Sequence, residues 1–170
     1  MGLFNRLKNK AAEAAKKEVP ANALVAPVAG KVIAMTEVPD PAFGSEILGK
    51  GCAIWPAAET VASPVAGSVS VVMPHAVGIT ADNGAEVLVH VGIDTVSMQG
   101  DGFTGHVTQG DRVAAGQTLL DFDRAKIEAA GHKDCVVLAV SNSADFAVVA
   151  LAVDAGSSVA AGDAVLTLAK

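Results

Sequence analysis

VSVVMPHAVGITADNGAEVLVHVGIDTV, running from Val69 to Val96, sets two strand-like runs on either side of a turn signal. Its apolar residues alternate with polar or small ones at the two-residue period of a strand. At its centre stands Asn83-Gly84, a two-residue hairpin signal, because a type I′ turn needs positive φ at both central positions. With that turn Asp82 faces Ala85, His90 falls opposite Val77 and His75 falls opposite Gly92. Both imidazoles are then expected on one face as diagonal neighbours, within roughly 7 Å. Val87, Val89 and Val91 line the other face as a core stripe. Val77, Ile79 and Leu88 are expected to ring the histidines as an apolar rim of the kind that docks proteins.

The same style of strand and turn extends outward from this hairpin. Glycine and proline punctuate short valine-rich runs from about residue 22 to the end, the pattern of an all-β sandwich or barrel. Aromatic residues make up only 4% of the 170 residues and tyrosine is absent, so the core is built from small and β-branched side chains. Two echoes stand out. Pro-Val-Ala-Gly occurs at Pro27 to Gly30 and at Pro64 to Gly67, and Gly-x-x-Val-Ala-Ala-Gly occurs at Gly110 to Gly116 and at Gly156 to Gly162. Two similar halves interlocked in one barrel explain both. Pro39 to Gly44 reads as a loop, and Asp123 to Gly131 as one or two helical turns.

The chemistry points to the histidine pair. An unperturbed imidazole has a pKa near ~6.5, so at neutral pH its nitrogen is a nucleophile without a separate base. A phosphoryl group placed on one ring leaves anionic oxygens that a second imidazole can hydrogen-bond. Asp94, four residues past His90, is placed to orient a ring or meet a basic partner. His106 and His132, each alone in its segment, read as structural.

Charge and cysteine usage narrow the setting. Net charge is −6, yet the first eighteen residues hold Arg6, Lys8, Lys10, Lys16 and Lys17 against Glu13 and Glu18, so the body is more acidic than the total. An acidic body argues against nucleic acid and suits a basic protein surface. Leu3, Phe4 and Leu7 share one side of a helical projection, which makes residues 1–21 a basic amphipathic tail able to touch a membrane surface weakly through residues 1–18. Residues 22–170 form the folded domain. Cys52 and Cys135 show no metal-ligand spacing, no leader pattern is present and no apolar run approaches a membrane span, so a cytoplasmic location is expected.

At these residues the chain closely resembles the glucose-type enzyme IIA of the bacterial phosphoenolpyruvate-dependent sugar phosphotransferase system. The matching motifs are APVAGKV (Ala26 to Val32), SPVAGSV (Ser63 to Val69), PHAVGI (Pro74 to Ile79), NGAEVLVHVGIDTV (Asn83 to Val96), GDGFTGHVTQGDRVAAGQTLLDFD (Gly100 to Asp123) and LAVSNS (Leu138 to Ser143). The resemblance covers about residues 22–170 and implies an antiparallel β-sandwich or barrel with Greek-key and jelly-roll elements, a duplicated hybrid motif. It implies that His90 carries the phosphoryl group on Nε2 and that His75 stabilises it. The donor would be the histidine phosphocarrier protein HPr, and the acceptor a cysteine on the IIB domain of a IIB/IIC sugar permease, with no cofactor required. Phe43, Val71 and Leu88 fall where the family places its apolar docking ring, and Asp40 and Asp94 join them as expected partner contacts. In enteric relatives the protein also binds regulated transporters and glycerol kinase. Met73 stands where the family commonly has a threonine able to hydrogen-bond the phosphorylated ring, so support for the ring must come from elsewhere.

Two other chemistries share parts of the pattern. A zinc hydrolase could draw on His75, His90 and Asp94, and zinc could also bind adventitiously between the two histidines. A catalytic zinc wants three protein ligands and an open position, and the His-x-His of barrel peptidases is missing from Leu88 to Gly92. A biotinyl or lipoyl carrier needs a lysine at a hairpin tip, where this chain has Asp82-Asn83-Gly84.

Overall fold

The computed structural model describes residues 20–170, so the amphipathic tail read from the sequence lies outside the described residues. Short strands dominate, all paired antiparallel: β1 (Ala23–Val25), β2 (Gly30–Ala34), β3 (Lys50–Pro56), β4 (Thr60–Ala62), β5 (Gly67–Met73), β6 (Ala76–Ala81), β7 (Glu86–Val91), β8 (Phe103–Gly105), β9 (Arg112–Val113), β10 (Thr118–Phe122), β11 (Val136–Val140), β12 (Val148–Leu151), β13 (Ser158–Val159) and β14 (Ala164–Ala169). An eight-stranded sheet runs β13-β2-β3-β11-β7-β6-β5-β9, and two three-stranded sheets run β1-β14-β12 and β4-β10-β8. Helix is confined to short pieces. Pro41–Gly44 forms a helical turn, α1, where the sequence suggested a loop, and Arg124–Ala129 forms α2 as the sequence suggested. No helix among the described residues is long and apolar enough to cross a membrane.

The sequence echoes are echoes of structure. Each Pro-Val-Ala-Gly leads into a strand near one edge of the large sheet, β2 or β5. Each Gly-x-x-Val-Ala-Ala-Gly supplies the edge strand that pairs with it, β13 or β9. The connecting hydrogen bonds match: Gly156 N–H donates to the Val32 carbonyl (2.7 Å) as Gly110 N–H donates to that of Val69 (2.8 Å). Likewise Gly162 N–H donates to the Ala26 carbonyl (3.0 Å) as Gly116 N–H donates to that of Ser63 (2.8 Å). The two halves meet at the β7–β11 pair in the middle of the sheet.

One face of the large sheet looks into the main core. Val32, Ile54, Val136 and Val91 stand in register across four strands there, and Val87 and Val89 extend the stripe along β7. The other face carries a second, smaller core. In it Ile33, Ala53, Val137 and Ala139 are covered by Met35, Val38 and Phe43 from the excursion between β2 and β3. That excursion has no counterpart in the other half, where β5 and β6 are joined by Pro74-His75 alone.

The hairpin register differs by one residue from the sequence expectation. The connection is three residues, Asp82-Asn83-Gly84, closing Ala81 against Ala85: Ala81 N–H donates to the Ala85 carbonyl (2.8 Å) and Gly84 N–H to that of Ala81 (3.1 Å). Ala85 N–H donates to Asn83 Oδ1 (3.0 Å), and Gly84 alone sits at positive φ, +91°. A type I turn followed by a left-handed glycine therefore replaces the type I′ turn. The extra loop residue moves every partner by one and exchanges the faces of β6.

Candidate functional site

His90 projects from the covered-core face of β7, where it faces Ala76 on β6 and Val137 on β11. Val77 and Ile79 lie on the opposite face, 1% and 0% exposed within the main core, and this corrects their expected place in an apolar rim. Burial there leaves a partner nothing to touch. His75 does not sit in a strand. It is the second residue of the two-residue Pro74-His75 connection, anchored where Val91 N–H donates to its carbonyl (2.8 Å). Leaving the strand frees its side chain from face alternation, and its ring meets His90's at 4.8 Å between centroids, inclined at 80°. The pair expected from sequence is thus assembled through a different geometry.

The pair is also less open than expected. His75 is buried and His90 half-buried. Phe43 flanks His90 at 5.0 Å between ring centroids, and Phe103 flanks His75 at 6.4 Å. At 3% exposed and packed in the smaller core, Phe43 supports His90 from beneath, which corrects its expected place in the docking ring. Phe43 is delivered by α1, whose N-terminus Asp40 caps by accepting from Ala42 N–H (3.2 Å), with Pro41 in the first turn. Beyond His90 the chain must turn sharply. Gly92 has φ +80°, and a Cβ there would come within 2.3 Å of Thr95 Cγ2. Thr95 locks the turn by donating to the Val91 carbonyl (2.5 Å), and Asp94 adopts φ +60°, tolerable for an aspartate.

Burial, followed by the charge His75 would carry, pushes His90 down to about 4, against the opposing influence of the Gly92 backbone and the Asp40 and Asp94 carboxylates. Burial also lowers His75. Both rings are therefore neutral at pH 7. Nδ1 of His90 is sealed from solvent, with no hydrogen bond of good geometry among the described residues, which leaves Nε2 as the nitrogen able to meet a reactant.

The open half of this face is apolar. Met73, Ala76 and His90 stand in register across β5, β6 and β7, and Val71, Gly78 and Leu88 do so in the next row. Val71 and Met73 reach this face because β5 bulges between Val69 and Val71, turning Val69 into the main core and Val71 out. They are 41% and 38% exposed, and Leu88 is half-buried beside them. A Cβ on Gly78 would lie 2.6 Å from Val71 Cγ1, so this glycine lets Val71 lie flat on the sheet. Sequence reasoning passed over Met73 as a surface residue and Phe103 altogether. The bulge hides the first, and the long sequence separation from His75 hides the second.

The remaining histidines have structural partners. His106 Nε2 lies 2.6 Å from Asp121 Oδ2, and His132 Nε2 lies 3.0 Å from Ser97 Oγ. No group of three or more His, Cys, Asp or Glu is placed to hold a metal among the described residues. His75 and His90 alone fall one short of the three protein ligands of a catalytic zinc.

Comparison with known proteins places this geometry in context. The family model for the phosphoenolpyruvate-dependent sugar phosphotransferase system, EIIA 1, matches residues 22–146. A glucose-specific EIIA component of Halalkalibacterium halodurans is 40% identical over 150 residues, which are 86% of this chain and 83% of that protein. A β-glucoside-specific EIIBCA component of Bacillus subtilis is 45% identical over 119 residues, 69% of this chain and 20% of the longer protein, so the chain spans about a fifth of that relative. The solved glucose permease IIA from Mycoplasma capricolum superposes with a TM-score of 0.73 at 32% identity, covering 85% of this chain and 93% of that one.

Proposed function

This chain belongs to the EIIA 1 family of the phosphoenolpyruvate-dependent sugar phosphotransferase system and is a phosphoryl carrier of that system, and we propose that Nε2 of His90 is its accepting atom. The observation that carries this reading is the pair itself: two neutral imidazoles 4.8 Å apart, with Nδ1 of His90 sealed away. The lone pair on Nε2 attacks the phosphorus of a donor phosphohistidine. The donor's N–P bond breaks, its electron pair returns to the donor ring, and the new N–P bond forms on His90. The proton on Nδ1 stays in place throughout, so no general base is required. His75, turned toward His90 by its place in a tight connection, donates a hydrogen bond to the phosphoryl oxygens and offsets their charge in a site with little water.

The donor in this reading is HPr, and the acceptor is a cysteine on the IIB part of a sugar permease; the fused B, C and A parts of the β-glucoside relative supply a precedent for that association. The setting is the cytoplasm. Val71, Met73 and Leu88 form the apolar floor on which each partner docks, and Asp40 and Asp94 offer carboxylates to basic side chains at its edge.

Incubation with phosphoenolpyruvate, enzyme I and HPr tests the reading. Wild type should gain one acid-labile phosphate, and His90→Ala none. His75→Ala should accept phosphate yet deliver it to a IIB domain at least about tenfold more slowly, the loss of one stabilising donor. Unlabelled wild type or a labelled His90→Ala protein overturns the assignment.

A further inference from the structure

The histidine-ring hydrogen bonds among the described residues belong to His106 and His132, and none reaches His75. Its ring orientation therefore rests on packing. Rotation about the last imidazole bond is intrinsically soft, and half a turn would present carbon where nitrogen must meet a phosphoryl oxygen. Two rings bear on it: His90 at 4.8 Å and 80°, and Phe103 at 6.4 Å and 69°. His90 is the group that reacts and changes charge during transfer, which leaves Phe103, packed on the main core, as the fixed wall.

Phe103 is well held for that task. It opens β8 opposite Phe122, packs on the main core, and its N–H donates to the Gly100 carbonyl (3.1 Å). Asp123 N–H donates to the neighbouring Gly102 carbonyl (2.8 Å). Gly100, at φ +85°, brings this loop so close to the Pro74-His75 connection that a Cβ on it would lie 3.4 Å from the proline ring. The loop thus braces the connection through Pro74 and the imidazole through Phe103.

We propose that Phe103 is a positioning residue for phosphoryl transfer, holding the His75 ring in the one orientation that aims a nitrogen at the group on His90. The proposal rests on the carrier reading above. Phe103→Leu keeps an apolar side chain and removes the flat wall, while Phe103→Tyr keeps the ring. Each is made with His75 intact and with His75→Ala, and single-turnover delivery to a IIB domain is measured after loading from phospho-HPr. With His75 intact, Phe103→Leu should load one phosphate and deliver it about tenfold more slowly, and Phe103→Tyr should stay within about twofold of wild type. With His75→Ala, Phe103→Leu should cost nothing further, and the ¹⁵N signals of the His75 ring in Phe103→Leu should shift toward those of a free imidazole tautomer mixture. Equal slowing in both backgrounds, unchanged delivery with His75 intact, or unshifted ring signals overturn the positioning role. Failure of wild type itself to load phosphate overturns the carrier reading, and this role with it.

Discussion

His90 stays neutral because burial makes its charged form costly, and that cost appears in the stability of the protein as well as in its chemistry. The folded ring titrates at about 4 and the unfolded one near 6.5, so the unfolded chain binds the extra proton between those values. Stability contributed by the neutral ring is whole above about pH 6.5 and is lost as pH falls toward about 4. Urea unfolding of wild type against His90→Gln should show wild type losing up to about 3 kcal/mol relative to the variant across that window. Gly92 is the second decisive residue. Gly92→Ala would press a methyl group into Thr95 at a backbone angle that alanine resists, costing about 1–3 kcal/mol in denaturant unfolding and displacing His90 and Asp94 together. His90 and His75 were legible in the sequence as a pair because the hairpin places them near each other under either register. Phe103 was not, since nothing local in Gly-Asp-Gly-Phe announces a contact with a residue nearly thirty positions earlier.

The hairpin shows how a right class of element can carry a wrong assignment of faces. Asn83-Gly84 correctly marked the turn between β6 and β7, yet Asn83 Oδ1 captures the Ala85 N–H and makes the loop three residues long. The extra loop residue exchanges Val77 and Ile79 for Ala76 and Gly78 on the histidine side. The bulge in β5 acts similarly on Val69 and Val71, because an alternating run such as VSVVM gives no sign of where one extra residue will be inserted. Substitutions separate the two faces cleanly. Ile79→Ala should cost about 2–4 kcal/mol in unfolding while leaving the docking surface intact. Val71→Asp should leave the melting temperature nearly unchanged and slow loading from phospho-HPr at least about tenfold, the expected penalty for a charge in an apolar contact.

For the molecule as a whole, duplication explains both the order of the strands and the isolation of the site. The two halves share edge strands, turns and connecting hydrogen bonds, but only one carries the excursion that roofs its side of the sheet. Beneath that roof Cys135 is buried with its thiol pushed up to about 12, and Cys52 in the main core is pushed up equally. A thiol reagent added to native protein should therefore label neither until global unfolding, and the two should appear at one common rate, because each core closes over its cysteine as part of the same sheet. Duplication was visible in the repeated glycine motifs; the roof was not, because its helical turn rests on four residues and one aspartate cap. Where one half carries His90, facing Val137 on β11, the matching position of the other half is Ala139, facing Leu88 on β7. A duplicated frame with one loaded position and one uncovered floor works as a single berth. On the carrier reading proposed above, donor and acceptor moor there in turn, so throughput is set by how fast each departs, and a surplus of either partner blocks the quay for the other.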